Sequence, residues 1–114
     1  MVDNNERLLT TIHEYLERHD YQVMSVASGL DAIRLLRSET FDLLVTDIVM
    51  PDISGLGLIE ISKKESPELP IIAMTGYSGQ VRDLTLERSP DYYLEKPFEL
   101  SRLLEVVESL LAKG

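Results

Sequence analysis

Cysteine is absent from the 114 residues, which excludes disulfides, thiolate metal centres and cysteine nucleophiles. Basic charge is scarce: 11 Lys and Arg stand against 20 Asp and Glu, a formal net charge of −9. Such a surface repels nucleic acid and anionic membrane, because phosphate backbones attract only basic surfaces. Direct nucleic-acid binding is therefore not expected. No apolar run approaches the roughly 20 residues needed to span a bilayer. The opening Met-Val-Asp-Asn-Asn-Glu does not resemble a signal peptide. Internal repeats, low-complexity tracts and linkers are missing too. What remains reads as one domain over residues 1–114, with 44% hydrophobic residues, enough for a core at this length. A cytoplasmic location with no membrane partner is the expectation.

The chain alternates between helical and extended patterns. Leu8, Leu9, Ile12, Tyr15 and Leu16 recur at helical spacing between Asn5 and about Arg18. Tyr21–Val26 reads as a short strand ended by Ser28-Gly29, and Leu30, Ile33 and Leu36 mark a second helix. Phe41–Thr46 holds the continuous apolar run Leu43-Leu44-Val45, the pattern of a strand buried on both faces. Asp47 to Gly55 reads as a loop, Leu56 to about Lys64 as a third helix, and Ile71-Ile72-Ala73-Met74 as a second buried strand. After the loop at Thr75–Gly79 a weakly patterned helix runs to about Arg88. Tyr92–Leu94 forms the last strand, and Leu100, Leu103, Leu104, Val107, Leu110 and Leu111 give the last helix an apolar face.

Short apolar strands alternating with helices imply an α/β fold, a doubly wound parallel sheet with helices on both faces. Functional groups in such sheets gather at the carboxyl ends of the strands. Asp47, Thr75 and Lys96 each fall there. A carboxylate can attack a phosphoryl group or bind a hard cation. A lysine offers compact positive charge to a phosphoryl oxygen, and a threonine hydroxyl can donate to another. Asp3 and Asn4 add oxygen ligands suited to Mg²⁺. Taken singly, these residues have plainer readings: helix cap, surface lysine, solvated acid. His13 and His19 read as surface residues, remote from this rim.

The segment Leu44-Val45-Thr46-Asp47-Ile48-Val49-Met50-Pro51-Asp52-Ile53-Ser54-Gly55 resembles the phosphoacceptor segment of response-regulator receiver domains in two-component signalling. Pro70-Ile71-Ile72-Ala73-Met74-Thr75-Gly76 is similar to that family's fourth strand. Tyr93-Leu94-Glu95-Lys96-Pro97-Phe98 is similar to its fifth, and Val2-Asp3-Asn4-Asn5-Glu6 to its acidic turn. The resemblance implies a flavodoxin-like sheet of order 2-1-3-4-5. It also implies Asp47 as the residue phosphorylated by a sensor histidine kinase, with Lys96 and Thr75 holding phosphoryl oxygens. Mg²⁺ would sit on Asp3, Asp47, the Val49 carbonyl and Asn4. Thr75 and Tyr93 would act as the switch that alters the face of the last two helices for a downstream protein effector. A cis Lys96-Pro97 bond is implied as well.

Two departures from the pattern stand out. The second acid of the opening turn is Asn4, which brings an oxygen but no charge and should weaken Mg²⁺ binding. The first strand is truncated or missing, since only Met1 and Val2 precede Asp3 where strands usually run about 5–6 residues. Three readings stay open: the natural chain begins upstream of Met1, the sheet closes over a gap, or a segment of another copy fills the place; low stability or self-association as a homodimer is the expectation. Val49 and Tyr77 occupy the places from which a polar side chain would orient a hydrolytic water, so a long-lived phosphorylated state is expected. Two other functions compete. A degenerate receiver would bind a partner without phosphorylation. A phosphatase using Asp47 as nucleophile would need a second acid where Val49 stands, so no enzyme beyond self-directed phosphoryl transfer is expected.

Overall fold

The computed structural model describes residues 1–2, 5–47, 55–75 and 90–112. Four helices and three strands occupy them: α1 (Glu6–Arg18), α2 (Gly29–Ser38), β1 (Leu44–Asp47), α3 (Gly55–Glu65), β2 (Ile71–Thr75), β3 (Tyr92–Glu95) and α4 (Leu100–Ala112). The sheet is parallel, in the order β1-β2-β3. The helix expected to end near Arg88 lies outside the described residues.

Each helix begins or ends where the local chemistry dictates. Asn5 caps α1, its side-chain oxygen accepting from the Leu8 amide at 3.2 Å. Ser28 caps α2 in the same way through the Asp31 amide. These caps satisfy amides that the first helical turn leaves without intrahelical partners. Helix α1 ends at a turn in which Asp20 takes φ 71°, a left-handed conformation that closes the helix and starts the next extended segment.

Alternation along the strands sorts the core into two layers. Leu44, Ile71 and Ala73 pack with Val2, Ala32 of α2, and Leu58 and Ile59 of α3. Their neighbours Val45, Ile72 and Met74 point the other way, onto Ile12 and Leu16 of α1 and Leu103, Val106 and Val107 of α4. Every residue of β1 and β2 is buried, as the unbroken apolar runs require of strands covered on both faces. Val106 of α4 is a buried position that its helical pattern had not singled out.

The first strand survives as a single buried residue. Val2 bridges Val26 on one side and Thr46 on the other, both in parallel. Its amide donates to the Val45 carbonyl at 2.8 Å, and its carbonyl accepts from the Asp47 amide at 2.8 Å. On the far side the Val26 amide donates to the Met1 carbonyl at 3.0 Å, and the Met1 amino group to the Met24 carbonyl at 2.6 Å. The lateral order is therefore Val26, Val2, β1, β2, β3, which is the order 2-1-3-4-5 with its first member truncated.

Tyr21–Val26, expected as a short, partly polar strand, is not a full strand. Only Val26 is bridged, to Val2, and beside it the Met24 carbonyl accepts from the Met1 amino group. The strand boundaries also shift. Asp47 belongs to β1 and Thr75 to β2, so both close a strand where the sequence suggested that a loop begins.

Candidate functional site

Three strand ends meet on one rim. In the sheet register Asp47 lies opposite Met74, and Thr75 opposite Glu95, the residue before Lys96. Backbone bonds hold each of the three in place. The Asp47 amide is tied to Val2, and the Lys96 amide donates to the Thr75 carbonyl at 2.7 Å. Beside them the buried Thr46 hydroxyl donates to the Asp47 carbonyl at 3.0 Å.

The side chains converge as well. Lys96 Nζ stands 3.3 Å from Asp47 Oδ2. Asp47 is 8% exposed and Thr75 2%, whereas the Lys96 side chain keeps 24% of its surface, open on the solvent side of the pair. An ion pair so placed is poorly screened, and the attraction holds the ammonium over the carboxylate. The bond from Lys96 to Pro97 is cis.

Of the oxygen donors expected for Mg²⁺, Asp47 is described, and Asp3, Asn4 and Val49 lie outside the described residues. Tyr77, expected to bear on hydrolysis, lies outside them too. The donor chemistry fits the ion. Mg²⁺ takes oxygen ligands and is commonly held by one or two carboxylates plus substrate phosphates, and Asp47 supplies a carboxylate at a strand end. Among the described residues no cluster of three His, Cys, Asp or Glu side chains could hold a metal unaided.

Tyr93 is half-buried and packs against the layer made by α2, α3 and the inner residues of the sheet. It pairs with Ala73, two places before Thr75. The residues expected to bind and those expected to move are thus adjacent in β2 and β3.

Two polar contacts were not legible in the sequence. His13, read there as a surface residue, is half-buried: its Nδ1 shares a hydrogen bond of 2.5 Å with Ser25 Oγ, and its Nε2 lies 3.2 Å from Glu17. The helical turn of α1 aims it at the extended segment rather than at solvent. Lys63 of α3 donates to the Leu69 carbonyl and to Asp91 Oδ2, each at 2.7 Å. The same Asp91 oxygen accepts from the Ile71 amide at 2.8 Å. A lysine in the last turn of a helix hints at a carbonyl partner, but no local pattern names Asp91.

Comparison with known proteins places this geometry. The model of the response regulator receiver domain family matches residues 1–108. The chain is 34% identical over 112 residues to the DNA-binding transcriptional regulator NtrC of Azospirillum brasilense, covering 97% of this chain and 23% of that protein. It is 31% identical to the probable transcriptional regulator ycf29 of Pyropia yezoensis, covering 99% of this chain and 52% of that one. The chain thus spans about a quarter to a half of these relatives. Among solved structures, the response regulator protein TrrA of Thermotoga maritima, in complex with Mg²⁺-BeF, superposes with a TM-score of 0.87 at 31% identity, covering 96% of this chain and 94% of that one. A CheY-like receiver domain protein of Methanospirillum hungatei gives a TM-score of 0.90 at 30% identity, covering 98% and 90%.

Proposed function

Because the chain belongs to the response-regulator receiver domain family of two-component signalling, we propose that it is a phosphoacceptor switch whose acceptor is Asp47. The observation that carries this reading is the 3.3 Å approach of Lys96 Nζ to Asp47 Oδ2 at the carboxyl ends of the strands. An ammonium that reaches the carboxylate also reaches an oxygen of a phosphoryl group attached to it.

In the proposed transfer an Asp47 oxygen attacks the phosphorus of a phosphohistidine on a sensor kinase. The P–O bond to Asp47 forms as the P–N bond breaks, and the departing imidazole picks up a proton. Mg²⁺, when bound at Asp47 with Asp3, Asn4 and the Val49 carbonyl, would offset negative charge on the phosphoryl oxygens. Lys96 releases its hold on the carboxylate and binds one of those oxygens. The Thr75 hydroxyl donates to another. Both stand on the same rim as Asp47, so short side-chain shifts bring them to the phosphoryl oxygens.

Thr75 and Tyr93 then couple the site to the surface. A shift of Thr75 toward the phosphoryl group frees space beside Ala73, into which Tyr93 turns, and the face of β3 and α4 changes for a protein effector. This chain's net charge of −9 disfavours DNA contact by these residues themselves. The absence of a long apolar helix among the described residues suits a cytoplasmic partner kinase domain. Beyond its own phosphoryl transfer the domain turns over no substrate.

Incubation with acetyl phosphate and Mg²⁺ tests the reading. Intact-mass measurement should show one added phosphoryl group on the wild type and none on Asp47→Ala. Labelling of Asp47→Ala to the wild-type extent, or no labelling of a folded wild type, would overturn it. The phosphorylation-independent module has no supporting observation here, since both acceptor and lysine are present and paired.

A further inference from the structure

Three polar side chains stand in a row between helix α1 and the extended segment that follows it. Glu17 Oε1 lies 3.2 Å from His13 Nε2, and His13 Nδ1 lies 2.5 Å from Ser25 Oγ. Glu17 follows His13 by one helical turn, so both project from one face of α1. The two contacts together fix the tautomer of the imidazole. A carboxylate only accepts, so Nε2 carries the hydrogen and Nδ1 turns its lone pair to Ser25. The Ser25 hydroxyl then donates to Nδ1. An orienting acid, a base and a hydroxyl nucleophile are thereby aligned in that order.

The surroundings suit a reactive hydroxyl. The Glu17 side chain is 52% exposed and that of His13 27%, so the base is shielded from water more than the acid. Ser25 is half-buried and within reach of a small molecule. Its backbone supplies a further donor. Amide groups alternate in direction along extended chain. The Val26 amide turns into the sheet, so that of Ser25 turns outward, toward an edge that carries no further strand among the described residues. There it donates to the oxygen of a carbonyl attacked at Oγ. The cavities of about 1050 and 420 Å³ are lined by neither His13 nor Ser25, so they give no room to a long acyl chain at this site.

We propose that Ser25 is an acylation site, which takes a small acyl group from an activated ester. Ser25 Oγ attacks the acyl carbon while His13 Nδ1 takes the hydroxyl proton. The new C–O bond to Ser25 forms, and the carbonyl electron pair moves onto oxygen. It returns as the bond to the leaving oxygen breaks, and that oxygen carries off the proton held by His13. The products are an acylated Ser25 and an alcohol, with no oxidant or reductant involved. Glu17 is a positioning residue: it touches neither the ester nor Ser25, and holds the imidazole in the tautomer that accepts. The site shares no residue with the Asp47 rim, so its reactivity is independent of phosphorylation.

Brief treatment of the whole chain with p-nitrophenyl acetate, followed by peptide mapping by mass, tests this. Ser101 is an exposed serine on α4 and serves as the internal reference. Ser25 should be acetylated about 100-fold faster than Ser101, the lower end of what a positioned base contributes. His13→Gln, which keeps a hydrogen-bonding side chain but removes the base, should bring the two serines to the same rate. Glu17→Gln should lower the ratio by about threefold, since that pair is exposed. In deuterium oxide the wild-type ratio should fall, because a proton moves to His13 as the bond forms; this arm needs no variant to fold. Equal labelling of the two serines in the wild type would overturn the proposal. So would undiminished labelling of Ser25 in a folded His13→Gln, or a ratio that deuterium oxide leaves unchanged.

Discussion

The two halves of the sheet are held together in different ways. From β1 to β3 the strands pair along their lengths, eight register pairs in all, with both faces buried under helices. From β1 outward the other way, the pairing among the described residues is two bridges, Thr46 to Val2 and Val2 to Val26. Asp47 stands on the seam. Its register partner is Met74 in the strong half, and its amide is bonded to Val2 in the weak half. The Asp47 side chain is thus positioned mainly by the laddered half, while one face of its backbone is bonded to the single residue Val2.

The largest effect that tests this contrast is expected at Ile72, fully buried within β2, the middle strand of the ladder. Ile72→Ala should cost about 2–5 kcal/mol through lost burial and a residual cavity, measured by urea unfolding. A loss below that range would mean that the laddered half is not the main store of stability.

Next in size is a pH effect in the weak half. Burial lowers the pKa of the Met1 amino group from 8.0 to about 6. The folded state disfavours the ammonium, so the unfolded chain binds more protons between those values. Stability should be lowest below pH 6 and rise through pH 8, by on the order of 2 kcal/mol, with the bond to the Met24 carbonyl offsetting part of the difference. Thermal melts across that window check it. Blocking the amine by acetylation should flatten the profile.

Val26→Ala should cost only about 1 kcal/mol, since the side chain is half-buried and its strand is one bridge long. Hydrogen exchange sharpens the comparison: the Val26 amide should open locally, whereas the Thr46 and Met74 amides should exchange only with global unfolding. Smallest is Asp20→Gly. Glycine removes the cost of a left-handed Asp at φ 71° but adds freedom to the unfolded chain, so a net gain of about 0.5 kcal/mol is expected.

The rim was legible in the sequence because its residues follow from local pattern. Buried strands announce themselves by continuous apolar runs, and polar residues just after them mark the functional edge. Asp47, Thr75 and Lys96 needed nothing more. Tyr21–Val26, a short and partly polar stretch, was also read as a strand, and it pairs at Val26 alone. A strand's existence depends on a neighbour far away in the chain, which no local pattern reveals. The bond from His13 to Ser25 and the clamp of Lys63 on Asp91 were invisible for a similar reason. Each joins residues 12 and 28 positions apart, and neither partner belongs to a recurring motif.

Asp91 has one more consequence. Its carboxylate takes the Ile71 amide and the Lys63 ammonium, and its own amide donates to the Ile71 carbonyl at 2.8 Å. The foot of β2 and the approach to β3 are thereby pinned to each other and to the tail of α3. The top of the same pair is fastened too, by the Lys96 amide on the Thr75 carbonyl, so the two strands are stapled at heel and tip. A displacement beside Thr75 is then expected to carry Tyr93–Lys96 along with it instead of letting one strand slide past the other.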